Sequence, residues 1–208
     1  QGELSEADSR LLYEFRRSFT DAHNYVAAVL RDDLHLEPTA RVKSNVSIID
    51  KLFRQPTLQL IQMQDIAGCR VIVQSIDEQS RIVARLVQSF EHSKMRDRRE
   101  RPSHGYRAVH VIVEVGPKQV EIQVRTILQH AWAELSEKLS DKFGMSLKYG
   151  GGPEKQRAAL FRLSDIIYAF ERVEERYINS LGEGRAADLT RNDLDRMTKL
   201  IAIGIEIR

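Results

Sequence analysis

A chain of 208 residues, 42% apolar and 30% charged, has material for one hydrophobic core, or one core with a helical extension, and hardly for two independent domains. Its 32 basic and 30 acidic residues leave a net charge of +2, so no whole-protein field for nucleic acid is implied and any anion site must come from local clustering. The lone cysteine, Cys69, excludes a disulfide framework and a thiolate metal cage and fits a reducing cytoplasm, while no stretch nears the roughly 20 apolar residues that span a bilayer.

The opening QGELSEADSR lacks the basic and apolar regions of a signal peptide, and the domain is expected to start directly. In chain order, Leu11, Leu12, Phe15, Phe19, Tyr25, Val26 and Val29 recur at helical spacing and predict one amphipathic helix from Glu6 to about Leu30. Pro38 and Thr39 break it, and Val46, Ile49, Leu52 and Phe53 predict a short helix over Ser44–Phe53. Cys69–Gln74 is the first convincing strand, its β-branched run predicting burial on both faces. A helix from about Asp77 to Phe90 follows, and the basic, polar Ser93–Ser103 reads as an exposed loop. Ala108–Val115 and Gln119–Val124 read as an antiparallel hairpin turning at Gly116, Pro117 and Lys118. Thr126 caps a helix to about Phe143, LKYGGGP breaks it, and a long last helix runs from Glu154 to about Ser180. The expected fold is α+β: a small mixed, largely antiparallel sheet flanked by helices, with a core over 1–145 and a helical extension over 146–208 that closes the core or mediates self-association.

Three constellations carry chemistry. Ser47, Lys51 and Arg54, spaced four and three apart, share a helix face near Arg41 and Lys43, a stripe that suits polyphosphate and equally describes a solvated basic face. Asp65 precedes the first strand, with Gly68 in the turn and Arg70 at the strand's start; such a carboxylate can hold Mg²⁺ or make a local Asx turn. In HGYRAVH and VEIQVRT, strand alternation projects Glu121, Gln123 and Arg125 from one face, while Val120, Ile122 and Val124 fill the other, as in any one-sided antiparallel sheet. Tyr106, between a glycine and an arginine, is placed to stack on a base or to edge the core.

In this order, RVKSNVSIIDKLFR, DIAGCR, HGYRAVH and EIQVRT resemble the synthetase domain of RelA/SpoT alarmone enzymes, from about Arg41 to Trp132. The resemblance implies a nucleotidyltransferase-like synthetase fold and a Mg²⁺-dependent transfer of pyrophosphate from ATP to a ribose 3′-hydroxyl. By it, Arg41, Lys43, Ser47, Lys51 and Arg54 grip ATP with help from Arg70. Asp65 and Glu121 hold Mg²⁺, Glu121 also drawing the proton from the attacking hydroxyl. Tyr106 stacks on the acceptor base, and Arg107, His110, Gln123, Arg125 and His130 line the acceptor side. The acceptor is GTP or GDP in the commonest family activity. Toxic relatives instead act on adenosine nucleotides or the tRNA 3′ end, and an antitoxin would then be a partner; because small synthetases of the family often self-associate through terminal helices, the resemblance also implies a homo-oligomer. The chain departs from the pattern at Ser103 and His104, where many family members carry a lysine, which leaves the acceptor open. No His-Asp dipeptide occurs, so the family's hydrolase activity is not expected.

Overall fold

A computed structural model of the chain describes residues 5–182; the expected tail after Gly182 lies outside them. The described residues form two compact units, one built from those up to Ile72 with Ile82–Arg96 and His110–Val124, the other from Val73–Arg81, Asp97–Val109 and the described residues from Arg125 onward.

The first unit opens with α1 (Glu6–Arg17), capped by Ser5, which accepts from the Asp8 N–H at 3.1 Å. Where one helix is expected, α1 ends and α2 (Thr20–Ala28) begins, followed by a π-helical turn, Val29–Asp33. Hydroxyls cause the break: Ser18 Oγ donates to the Phe15 carbonyl at 2.6 Å and Thr20 Oγ1 to the Arg17 carbonyl at 2.8 Å, competing for the acceptors that continue a helix. Strand β1 (Thr39–Val42) stands where only a break was expected, and Ser44 caps α3 (Asn45–Arg54). β1 pairs antiparallel with β2 (Ala67–Val73), Arg41 opposite Gly68 and Thr39 opposite Arg70. After α4 (Ile76–Ser89) comes β3 (Ser93–Asp97), again where a loop was expected. β4 (Val109–Val115) and β5 (Lys118–Thr126) form the predicted hairpin.

The five strands lie in the order β1-β2-β5-β4-β3, a largely antiparallel sheet. β1 and β3 are its edges, which explains their weak sequence signal: neither contains a buried residue. Two burial expectations need correction. β2 is not buried throughout, since Arg70 is half-buried and Ile72 exposed, and β5 is not one-sided, since every residue from Val120 to Thr126 is buried. Leu12, Phe19, Ile48, Met63, Ile66 and Ala67 form a core cluster under this unit's helices.

The second unit contains α5 (Ile127–Phe143) and α6 (Glu154–Gly182). Thr126 and Gln129 cap α5 reciprocally, as the capping box requires. Trp132, Ala133, Leu147, Leu160 and Ile167 form the core here, with Tyr106 packed against it.

One close approach fixes the sheet. A β-carbon on Gly68 would lie 2.4 Å from the Glu121 carbonyl oxygen, a backbone atom that cannot swing aside. Gly68→Ala is therefore expected to lower unfolding free energy by about 1–3 kcal/mol, as overpacking does, read from the urea midpoint at unchanged m-value.

Candidate active site

The register of β1 and β2 builds the site. Arg41 and Thr39 face Gly68 and Arg70, and Gly68 carries no side chain, so Arg41 reaches past it to Glu121 on β5, Nη1 to Oε2 at 3.9 Å. Arg70, two residues beyond Gly68, stands on that same face. Glu121 Oε1 meets His110 Nδ1 at 2.9 Å, and Oε2 accepts from Gln123 Nε2 at 2.6 Å. Burial alone would raise this carboxyl's pKa, but the bond and charge of His110, the Gln123 amide and the Arg41 guanidinium hold it down to about 2. Glu121 is an ion in a buried setting.

The second carboxylate is held by two ammonium groups. Asp65 accepts from Lys43 Nζ at 2.9 Å on Oδ2 and from Lys51 Nζ at 2.7 Å on Oδ1. Burial opposes ionisation here too, yet both lysines bring the carboxyl down to about 2. Lys43 itself is held below its ordinary value, because its own burial outweighs the attraction of Asp65. Lys43, one residue past β1, follows Arg41 by two residues, so a cation touching each carboxylate comes from one short extended segment, roughly 7 Å apart along the chain. Ser47 receives the Ser44 hydroxyl at 2.9 Å, and Arg54 pairs with Asp50 at 3.0 Å.

The structure thus gathers Arg41, Lys43, Lys51, Asp65, Arg70, His110, Glu121 and Gln123 within the first unit, while Tyr106, Arg107, Arg125 and His130 belong to the second. There His104 and Gly105, with φ of 53° and 84°, form a tight turn closed by reciprocal backbone bonds between Ser103 and Tyr106. Gly105 has no substitute: a β-carbon would lie 2.7 Å from the Trp132 ring. The turn presents Tyr106, whose hydroxyl accepts from Arg125 Nε at 3.2 Å and Nη2 at 2.9 Å, with the guanidinium 4.9 Å from the ring centre. Arg107 is buried and donates to Ser164, Asp165 and the Arg99 carbonyl; His130 is half-buried. Sequence reasoning passed over Ser164, Asp165 and Glu171 on α6. Polar residues at 164 and 171 on an otherwise apolar helical stripe were the available signal.

Two ionised carboxylates among four basic side chains, Arg41 and Arg70 on the paired strands, Lys43 just past β1 and Lys51 on α3, leave a local excess of positive charge. That is the electrostatic arrangement required by phosphate groups that carry a hard cation with them. The family follows from comparison: residues 40–144 match the family described as "Region found in RelA / SpoT proteins", half of the chain, and the chain belongs to it. GTP pyrophosphokinase YjbM of Bacillus subtilis (strain 168) is 31% identical over 192 residues, covering 86% of this chain and 81% of that protein. An uncharacterised protein of Mycobacterium tuberculosis (strain ATCC 25618 / H37Rv) is 40% identical over 125 residues, 59% of this chain and 46% of that protein, so the chain spans less than half the length of these mycobacterial relatives. Among solved structures, small alarmone synthetase 1 from Bacillus subtilis bound to its product pppGpp matches with a TM-score of 0.62 at 26% identity, covering 86% of this chain and 98% of that one. A GTP pyrophosphokinase family protein from Streptococcus pneumoniae shares the fold, with a TM-score of 0.63 at 23% identity over 87% of this chain and 97% of that one.

The depressed carboxyl of Asp65 has a pH signature. Its stabilisation is fully present above the unfolded carboxylate range and is lost as pH falls through the folded value of about 2. Asp65→Asn is expected to cost about 2 kcal/mol at neutral pH and to flatten the fall in stability between about pH 4 and pH 2, read from denaturation midpoints across that range.

Proposed function

We propose that the chain is a magnesium-dependent pyrophosphokinase that transfers the β,γ-pyrophosphoryl group of ATP to the ribose 3′-hydroxyl of GTP or GDP, giving pppGpp or ppGpp and AMP. The observation that carries this reading is Glu121, a buried carboxylate kept ionised by His110, Gln123 and Arg41 on the sheet face that also bears Arg70. Family membership supports it, as do relatives whose names describe GTP pyrophosphokinases and an alarmone synthetase with its product pppGpp.

Arg41, Lys43, Ser47, Lys51 and Arg54, with Arg70, bind and orient the triphosphate. In the nucleotide-free protein Lys43 and Lys51 neutralise Asp65, and ATP would take over part of their charge. Asp65 and Glu121 are the residues that would hold Mg²⁺, because both offer ionised oxygens, the ligands Mg²⁺ prefers. Among the described residues no group of three or more His, Cys, Asp or Glu side chains gathers, so phosphate oxygens and water would complete the shell. The ion supplies charge neutralisation on the phosphate oxygens. Glu121 orients the 3′-hydroxyl and receives its proton as that oxygen bonds to the β-phosphorus, while the bond from β-phosphorus to the bridging oxygen breaks and AMP departs. Tyr106 stacks on the acceptor base, and Arg107, His110, Gln123, Arg125 and His130 line the acceptor side. The same reading includes a cytoplasmic location and self-association through the helical segment from residue 146 onward. No helix among the described residues is long and apolar enough to cross a membrane.

One feature favours a second acceptor class. Ser103 and His104 stand where many relatives have a lysine, so an adenosine nucleotide or the tRNA 3′ end is the rival acceptor, in a toxin neutralised by an antitoxin. Against it, the nearby basic run is partly neutralised within the protein: Lys94 pairs with Glu114 at 3.3 Å, and Arg99 with Asp97 at 2.6 Å. With ATP labelled at the γ position, label is expected in guanosine nucleotides. Label in adenosine nucleotides or tRNA would transfer the assignment to the rival, and none in any acceptor would leave an inactive nucleotide- or RNA-binding module. Glu121→Gln should lower turnover by about 10²–10⁴-fold in a chain that still folds but is less stable by about 2–3 kcal/mol, the linkage its depressed carboxyl implies, and undiminished turnover of the folded variant would remove Glu121 from the mechanism.

A further inference from the structure

The last helix carries polar side chains where its periodicity asks for apolar ones. Leu160, Ser164, Ile167 and Glu171 follow at helical spacing along the buried stripe of α6, and Ser164 and Glu171 are each only 2% exposed. Burying a hydroxyl and a carboxyl is unfavourable unless both are hydrogen-bonded, so their partners show what they hold.

Ser164 Oγ donates to the Gly105 carbonyl at 2.5 Å and accepts from Arg107 Nε at 3.0 Å, gripping both sides of Tyr106. The same guanidinium reaches Asp165 at 2.8 Å and lies 4.4 Å from the centre of the Tyr168 ring, so α6 engages this segment at three successive contact residues. Two helical turns on, Glu171 accepts the Thr126 hydroxyl on one oxygen and Gln129 Nε2 at 3.1 Å on the other. Because the Thr126 proton is committed to Glu171, its lone pairs are left to cap the Gln129 N–H at 3.1 Å. Gln129 Oε1 receives Gln79 Nε2 at 2.9 Å, so every bond in this chain has a defined direction ending at Glu171. Arg125, which holds the Tyr106 hydroxyl, is the residue before Thr126.

We infer that Ser164 and Glu171 are positioning residues of the acceptor pocket. One anchors the turn that presents Tyr106, the other anchors the end of β5 that presents Arg125, so that the guanidinium, bonded to the Tyr106 hydroxyl, holds the ring in the orientation that offers a face to a nucleobase. This rests on the acceptor role proposed above for Tyr106 and Arg125. Residues that merely thicken the core would affect both substrates alike; positioning residues of one pocket affect one substrate.

The full chain bearing Ser164→Ala, and separately Glu171→Gln, is assayed with ATP and GDP varied independently, alongside hydrogen exchange of residues 103–107, 125–129 and 39–54. The expected result is a KM for GDP raised about tenfold, a KM for ATP within about twofold, and protection lost at 103–107 in the first variant and 125–129 in the second but kept at 39–54. Equal rises in both KM values, no change in either, or uniform loss of protection would overturn the inference. Should Ser164→Ala fail to fold, Glu171→Gln decides by the same criteria. If the unaltered chain transfers no pyrophosphate, the reaction proposed above falls and exchange alone decides: localised loss supports the anchoring, and unchanged or uniform exchange overturns it.

Discussion

The missing side chain at Gly68 is the constraint from which the site follows. It lets the β5 backbone at Glu121 close on β2, and it leaves an opening in the sheet face through which Arg41 reaches the Glu121 carboxylate. The register that sets Arg41 opposite Gly68 also sets the positions of Arg70 and, two residues along from Arg41, of Lys43. With Lys43 drawn to Asp65, each carboxylate is tied to a cation in or just past β1, and Asp65 also to Lys51 of α3.

Burying these groups carries a desolvation cost that only dense pairing offsets. Glu121 is bonded by His110 and Gln123 and faced by Arg41; Asp65 is gripped on both oxygens. A buried carboxylate, Glu121, and a half-buried one, Asp65, therefore remain charged at neutral pH, with cationic partners able to turn toward an incoming polyanion. A structural core would satisfy its packing more cheaply with apolar residues of similar volume, so the retained charges are best accounted for by the phosphate chemistry proposed for this family member.

The elements that read clearly in the sequence were those whose periodicity reports burial directly: α3, α4, the β4–β5 hairpin, the Thr126 cap of α5, and the long run of α6. β1 and β3 escaped because edge strands of four and five residues with no buried position carry neither alternation nor an apolar run. The first helix was predicted unbroken because the spacing of Phe15 and Phe19 continues across Ser18 and Thr20, whose hydroxyls interrupt the backbone ladder locally. For β5, alternation identified which residues share a face with Glu121, but not that this face is covered; its cover at Glu121 comes from residues as distant in sequence as Arg41. The motif residues were legible by resemblance and their charge states were not, since a pKa depends on neighbours that only the fold supplies. Nothing in the blocks of RelA/SpoT resemblance pointed to Ser164 or Glu171, which lie beyond them on α6.

The central claim is that Asp65 and Glu121 serve one divalent ion beside a bound triphosphate. Electron paramagnetic resonance of Mn²⁺ titrated onto the chain with a non-hydrolysable ATP analogue tests it most directly. The account predicts one tightly bound ion per chain, weakened at least about tenfold by Asp65→Asn and likewise by Glu121→Gln, while both variants remain folded. Mn²⁺ binding left intact by either substitution would contradict it.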